Sequence, residues 1–198
     1  DKGTMSDINS VPELKKTTPI EEINIPHIRV LDTKATGGEY LFEDYEVGER
    51  LNHLEGITVD NSDHTLATKL YQNNAKVHFD DFMMKSTPMG ERLMYGGHVI
   101  SIVRSISFNG LQNAQWIYAI NSGVHANPTY AGDTIYAYTE ILEKIEVNRE
   151  DIGLLRVRTI GVKNMRPEDV ENPKGEDGKY IKNVVLDLDY TVVIPKHK

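Results

Sequence analysis

No cysteine occurs in the 198 residues. Disulfides, thiolate metal sites and a cysteine nucleophile are thereby excluded. Nor is there an excess of basic residues: 22 Lys and Arg stand against 30 Asp and Glu, a formal net charge of −8. Such a chain is a poor generic binder of nucleic-acid backbone, whose affinity comes from clustered cations. No apolar run approaches the roughly 20 residues that cross a bilayer as a helix. The first residues lack the basic-then-apolar layout of a secretory signal. A P-loop, GxGxxG, GxSxG and HExxH are all missing, and no internal repeat or low-complexity tract is visible. The expectation is a cytoplasmic protein with no nucleic-acid or membrane partner, built on one domain large enough to fold around its own core.

Residues 1–38 show little periodicity and contain Pro12, Pro19 and Pro26. The opening Asp1–Met5 could be a remnant of expression and is set aside. Ile20, Ile23, Ile25, Ile28, Val30 and Leu31 give the rest the means to form an ordered arm. This N-terminal extension closes at Gly37–Gly38, and a compact domain over 39–198 follows. Residues 50–59 read as a strand. Asp60 offers an N-cap, with Asp63 in the first turn where the helix dipole favours it. Leu66 and Leu70 then predict a short helix over 62–71. Residues 72–79 are turn-like, and 79–87 predict another short helix, stopped by Pro88 and Gly90. Gly96–Gly97 opens a helix whose Val99, Ile102, Val103 and Ile106 form one buried stripe, ended by Asn109–Gly110.

Everything beyond reads as β-structure. Runs over 115–126, 133–147 and 153–162 are followed by a polar loop or hairpin tip over 164–180. Ile135, Ala137, Thr139 and Ile141 share one face of the second run. In the last run Val184, Leu186, Leu188, Tyr190 and Val192 share one face, and Asp187, Asp189 and Thr191 the other. One apolar helix followed by about four antiparallel strands predicts an α+β architecture, a sheet wrapped on a helix.

Seven histidines (27, 53, 64, 78, 98, 125 and 197) show no metal-binding spacing, so neither metal nor cofactor is expected. The block Asn73-Asn-Ala-Lys-Val-His-Phe-Asp80 stands out, with Gly96–Gly97 18 residues after His78. On the residues alone each part has a plain reading. His78 could be an ordinary loop histidine, Gly96–Gly97 a tight turn, and Asn73 a turn former. His98 and His125 could line a pocket or simply pack. Asp80–Asp81 reads as a solvated or capping pair. Arg92 and Arg104 could meet a carboxylate or a CoA phosphate, or be surface charges.

In order along the chain, Tyr40–Glu49, Thr58-Val-Asp60, the Asn73–Asp80 block, Gly96–Gly97 and Tyr130-Ala-Gly-Asp-Thr134 resemble the MaoC-like hydratases and dehydratases of the hotdog fold. The resemblance covers residues 40–195, and Asn73 brings it closest in pattern to the mesaconyl-CoA hydratase branch. It implies a hydro-lyase acting on an enoyl-CoA thioester or, in reverse, on a 3-hydroxyacyl-CoA. It also implies a homodimer or a higher even-numbered oligomer. Carried over by position, His78 is the general base and the Gly97 backbone N–H the oxyanion donor. Asn73 stands where the commoner pattern has Asp, and an amide there can orient a group but not transfer a proton. A family helix serine that hydrogen-bonds the catalytic acid maps onto Ser105, and Gly96 and His98, beside Gly97, are expected with it on the substrate-binding side. The alternatives are a hotdog thioesterase and a non-catalytic acyl-CoA-binding or assembly domain.

Overall fold

The computed structural model describes residues 19–20, 25–28, 31–114 and 116–197. Ile23 and Val30 of the expected arm, and residues 1–18, lie outside them. A one-turn helix α1 (Thr33–Thr36) ends at Gly37, whose φ of 75° is the left-handed conformation that glycine tolerates. Strand β1 (Arg50–Thr58) leads into helix α2 (Asn61–Leu70), capped by the Asp60 carboxylate, which accepts from Ser62 N at 2.7 Å. A 3-10 turn (Lys76–His78) and a short helix α3 (Asp81–Met84) come next. Asp80 caps α3 by accepting from Met83 N at 2.9 Å, so its capping reading holds. Helix α4 (Gly96–Ile106) precedes β2 (Trp116–His125), β3 (Thr134–Ile145), β4 (Ile152–Lys163) and β5 (Val184–Pro195).

The five strands form one antiparallel sheet in the order β1-β3-β4-β5-β2. Val99, Ile102, Val103 and Ile106 of α4 are all buried against it, as their spacing predicts. They meet Ile135, Ala137 and Ile141 of β3, Leu155 and Val157 of β4, and Leu186, Leu188, Tyr190, Val192 and Ile194 of β5. Val184 does not join them. A register shift between Gly161 and Val162 slips the β4–β5 pairing. Val185 therefore enters the helix-facing core, and Val184 packs on the far face with Tyr138, Ile160, Val162 and Val170.

That far face is held by ion pairs and by the arm. Arg156 pairs with Asp189 at 2.6 Å and Arg158 with Asp187 at 2.7 Å, which explains the two acidic residues in the alternating β5 run. Ile20, Ile25 and Ile28 pack against Ile152, Leu154 and Val193. Ile28 N donates to the Asp151 carboxylate at 2.7 Å, and the Arg149 guanidinium at 2.7 Å holds that carboxyl well below the usual carboxylate range.

A polar rail crosses the buried sheet. His53 Nδ1 lies 2.6 Å from Asn109 O, and a carbonyl can only accept, so the ring proton is on Nδ1. Nε2 therefore accepts from Thr139 Oγ1 at 2.8 Å. Thr139 then accepts from Thr159 at 2.9 Å, and Thr159 from the Tyr190 hydroxyl at 3.0 Å. One tautomer fixes every donor in the rail. Burial pushes the His53 pKa down, opposed by the Asn109 carbonyl. Protonation would also reverse each donor back to Tyr190.

Candidate active site

The 3-10 turn brings His78 to the start of α4. Leu93 N donates to Val77 O at 3.0 Å, and His78 Nδ1 lies 3.0 Å from Leu93 O. The carbonyl again fixes the tautomer: Nδ1 carries the proton and Nε2 offers its lone pair. Met94 N donates to Thr129 O at 2.8 Å, which anchors the same segment to the loop after β2. The half-buried His78 ring stands edge-on to the Tyr95 ring, with centroids 5.8 Å apart.

Tyr95 is the N-cap of α4. The helical bonds begin with His98 N to Tyr95 O at 2.9 Å, so the Gly96 and Gly97 N–H groups precede the first of them. Free N–H groups and the positive end of the helix dipole thus sit one aromatic ring away from His78. A side chain at either glycine would have to displace a neighbouring ring. A Cβ on Gly96 would lie 2.7 Å from His125 Nε2, and one on Gly97 2.6 Å from the Tyr95 ring. The expectation that Gly97 makes room for a ligand therefore acquires a nearer cause, the Tyr95 ring. Sequence reasoning missed Tyr95; its only signal was an aromatic residue directly before Gly-Gly.

Asn73 lies at the other end of the loop. Its Oδ1 accepts from Ala75 N at 2.8 Å, an Asx turn that shapes the approach to the 3-10 turn. It also lines an open depression of about 600 Å³ with Thr68, Gln72 and Phe79. Its amide nitrogen is the group left to orient a ligand. His98 sits in the first turn of α4 with Nε2 buried, and burial lowers its pKa, opposed by Asp63. Ser105 is not brought to this constellation. It is exposed, about 12 Å along α4 from Gly97 by helical rise.

Neither arginine weighed from the sequence is a free cation here. Arg92 donates to Thr65 Oγ1 at 3.0 Å and to Asn61 Oδ1, and Arg104 to Ser107 Oγ at 3.0 Å and to Ala114 O. A larger groove, about 1100 Å³, lies elsewhere, beside the N-terminal arm. Its central charges, Arg149 and Asp151, already satisfy each other, so it is not read as the site. Among the described residues no group of three or more His, Asp or Glu side chains is placed to hold a metal ion.

With this geometry in place, two curated relatives align over 190 residues each. The chain is 46% identical to the beta-methylmalyl-CoA dehydratase of Chloroflexus aurantiacus and 45% identical to the mesaconyl-CoA hydratase of Cereibacter sphaeroides. Each alignment covers 94% of this chain and 54% of the relative. A solved MaoC domain protein dehydratase from Chloroflexus aurantiacus J-10-fl superposes with a TM-score of 0.86 at 44% identity, covering 100% of this chain and 57% of that one. The chain is similar to MaoC-type dehydratases over nearly all of its own length and shares their fold. It spans about half the length of the curated relatives it matches. A Mycobacterium tuberculosis protein described as a double hotdog fold shares the fold at a TM-score of 0.55 and 20% identity, covering 88% of this chain and 43% of that one. No family model matches the chain. Among the described residues no helix is long and apolar enough to cross a membrane.

Proposed function

We propose that this MaoC-like chain hydrates an enoyl-CoA thioester of the mesaconyl-CoA kind, or dehydrates the matching 3-hydroxyacyl-CoA. The observation that carries the reading is the His78 ring, held by Leu93 O with Nε2 unprotonated, next to the free N–H groups that open α4. Its two named relatives act on CoA thioesters that are related by addition or loss of water. CoA thioesters are metabolites of the cell interior, which supports a cytoplasmic location.

In the hydration direction His78 Nε2 takes a proton from water as the oxygen bonds to the β-carbon. The electrons of the double bond move through the α-carbon onto the thioester oxygen. The Gly97 N–H donates to that oxygen, with Gly96 beside it, and stabilises the enolate charge. His78 then returns its proton to the α-carbon. Atoms balance, and the imidazole ends neutral as it began. Asn73 orients the water or the thioester through its amide. Gly96 and His98 border the acyl path. Ser105 lies outside this arrangement.

The chain pairs in this reading with a second hotdog unit, as a homodimer or a higher even-numbered oligomer. Among the described residues strand β2 has β5 on one side and no strand on the other. Ile117, Ile120 and Val124 on it are exposed, and proteins pair or cover such edges.

The test is incubation with a panel of enoyl-CoA thioesters that includes mesaconyl-CoA, with products read by mass. An acyl-CoA heavier by one water supports the lyase. Release of free CoA would turn the reading to a thioesterase, and binding without turnover to a carrier or assembly domain.

A further inference from the structure

Tyr95 has no part in the proposed proton transfers, yet it touches both groups that they use. It is the N-cap of α4 and is half-buried. Its ring centroid lies 5.8 Å from that of His78, with 64° between the planes. The same ring lies against Gly97: a Cβ built there would meet Tyr95 Cζ at 2.6 Å and Cε1 and the hydroxyl oxygen at 2.7 Å. Tyr95 also meets Tyr71, the C-cap of α2, with centroids 6.1 Å apart.

The end of α2, the 3-10 turn with His78 and the first turn of α4 thus converge on one aromatic ring. Among the described residues the His78 ring has one hydrogen bond, from Nδ1 to Leu93 O at 3.0 Å. A single bond leaves an imidazole free to turn about it, and an aromatic neighbour set edge-on opposes that turning. The position of Tyr95 has a second consequence. N-cap side chains ordinarily accept from the N–H of the second or third helical residue. Asp32, Asp60 and Asp80 do so at α1, α2 and α3. Tyr95 makes no such bond, because its oxygen stands at the far end of a rigid ring laid against the second helical residue, Gly97. The Gly97 N–H, which a shorter polar side chain would take, is left to a ligand.

We propose that Tyr95 is a positioning residue for the hydration: its ring sets the His78 imidazole against the first turn of α4, and its inability to cap keeps the Gly97 N–H open to the thioester oxygen. The inference rests on the reading of His78 as the base and Gly97 as the donor. A residue that acts through these two groups should change turnover and leave ground-state binding largely alone.

Three replacements separate this from packing. Tyr95→Phe keeps the ring and supplies no cap. Tyr95→Leu removes the ring and supplies no cap. Tyr95→Asn removes the ring and supplies a capping oxygen. With mesaconyl-CoA, Tyr95→Leu should lower kcat about 10-fold or more with KM within about 3-fold, and Tyr95→Phe should recover most of that kcat. Tyr95→Asn should be slower than Tyr95→Leu by about 3-fold or more, although its cap gives it the higher melting temperature. Packing alone would move activity and melting temperature together. Wild-type kcat in folded Tyr95→Leu, a Tyr95→Phe no faster than Tyr95→Leu, or a Tyr95→Asn no slower than Tyr95→Leu would overturn the proposal. Two NMR readings do not depend on turnover. Cross-relaxation between the ring protons of His78 and Tyr95 is expected in wild type, and its absence contradicts the proposal even if no variant folds. The Gly97 amide should exchange with solvent more slowly in Tyr95→Asn than in Tyr95→Leu, and equal rates contradict the role of the missing cap. If wild type does not hydrate mesaconyl-CoA, the proposed function fails while these spectra still judge the placement of Tyr95. If wild type hydrates it and Tyr95→Leu does so equally well, the proposal for Tyr95 alone fails.

Discussion

The proposed hydration asks for little side-chain chemistry at His78. One carbonyl, that of Leu93, accepts from Nδ1 and leaves Nε2 for the proposed proton transfer. Two glycines supply donors from the backbone. Residue type and spacing alone left His78 a loop histidine and Gly96–Gly97 a tight turn; only the family resemblance singled them out as candidates. Tyr95 was not legible. Its place depends on which rings meet in space, and no periodicity records that. Gly97→Val follows from the same geometry. The new Cβ would sit 2.6 Å from the Tyr95 ring, so that ring must leave its place beside His78. The expected outcome is a kcat lowered about 10-fold or more with a smaller effect on the melting temperature. A sharply lowered melting temperature with intact specific activity of the folded fraction would make Gly97 a turn residue only. Asn73→Asp keeps an acceptor for Ala75 N, whereas Asn73→Ala removes it. Activity of Asn73→Asp should therefore exceed that of Asn73→Ala, measured as kcat/KM on the same substrate.

Elements were legible where apolar residues recur along one face. The α4 stripe and the β3 and β5 alternations follow this rule, and all three reach the core. The rule failed at two places. In α2 the existence of the helix is right but its buried residues are His64, Ala67 and Thr68, while Leu66 and Leu70 are exposed. In β5 a bulge reverses the side of Val184, and alternation carries no sign of a bulge. Burial of neutral imidazoles gives these elements a shared pH dependence. His53 ties β1 to β3, His64 sits in α2 and His98 in α4, and burial lowers the pKa of each, that of His64 to about 4. Unfolded, each returns toward about 6.5. Between these values the unfolded chain binds more protons, so stability rises with pH and is lost as pH falls from about 6.5 to about 4. For His64 alone the loss is on the order of 3 kcal/mol. Urea midpoints measured from pH 7.5 to 4.5 should fall in that window, and His53→Gln should flatten the slope. A midpoint constant across the window would mean that these rings are not buried in their neutral form.

At the scale of the whole molecule the open edge of β2 is the feature that calls for a partner. Its apolar residues Ile117, Ile120 and Val124 are exposed along a strand with one neighbour. Light scattering at micromolar concentration should give an even-numbered oligomer, and Ile120→Lys should shift it toward monomer. A wild-type monomer would contradict edge pairing in this chain. The architecture was readable because a single helix stripe and long alternating strands leave few packings. The arm was only partly so, since Ile20, Ile25 and Ile28 gain their burial from a sheet face that alternation assigns to water. The central claim is that His78 carries the proton in both directions at the start of α4. The most direct measurement is the rate of loss of the conjugated absorbance of mesaconyl-CoA, in wild type and in folded His78→Ala. The expected result is hydration by wild type and a kcat lower by about 100-fold or more in His78→Ala, as for a lost general base. Equal rates in the two proteins would contradict the account.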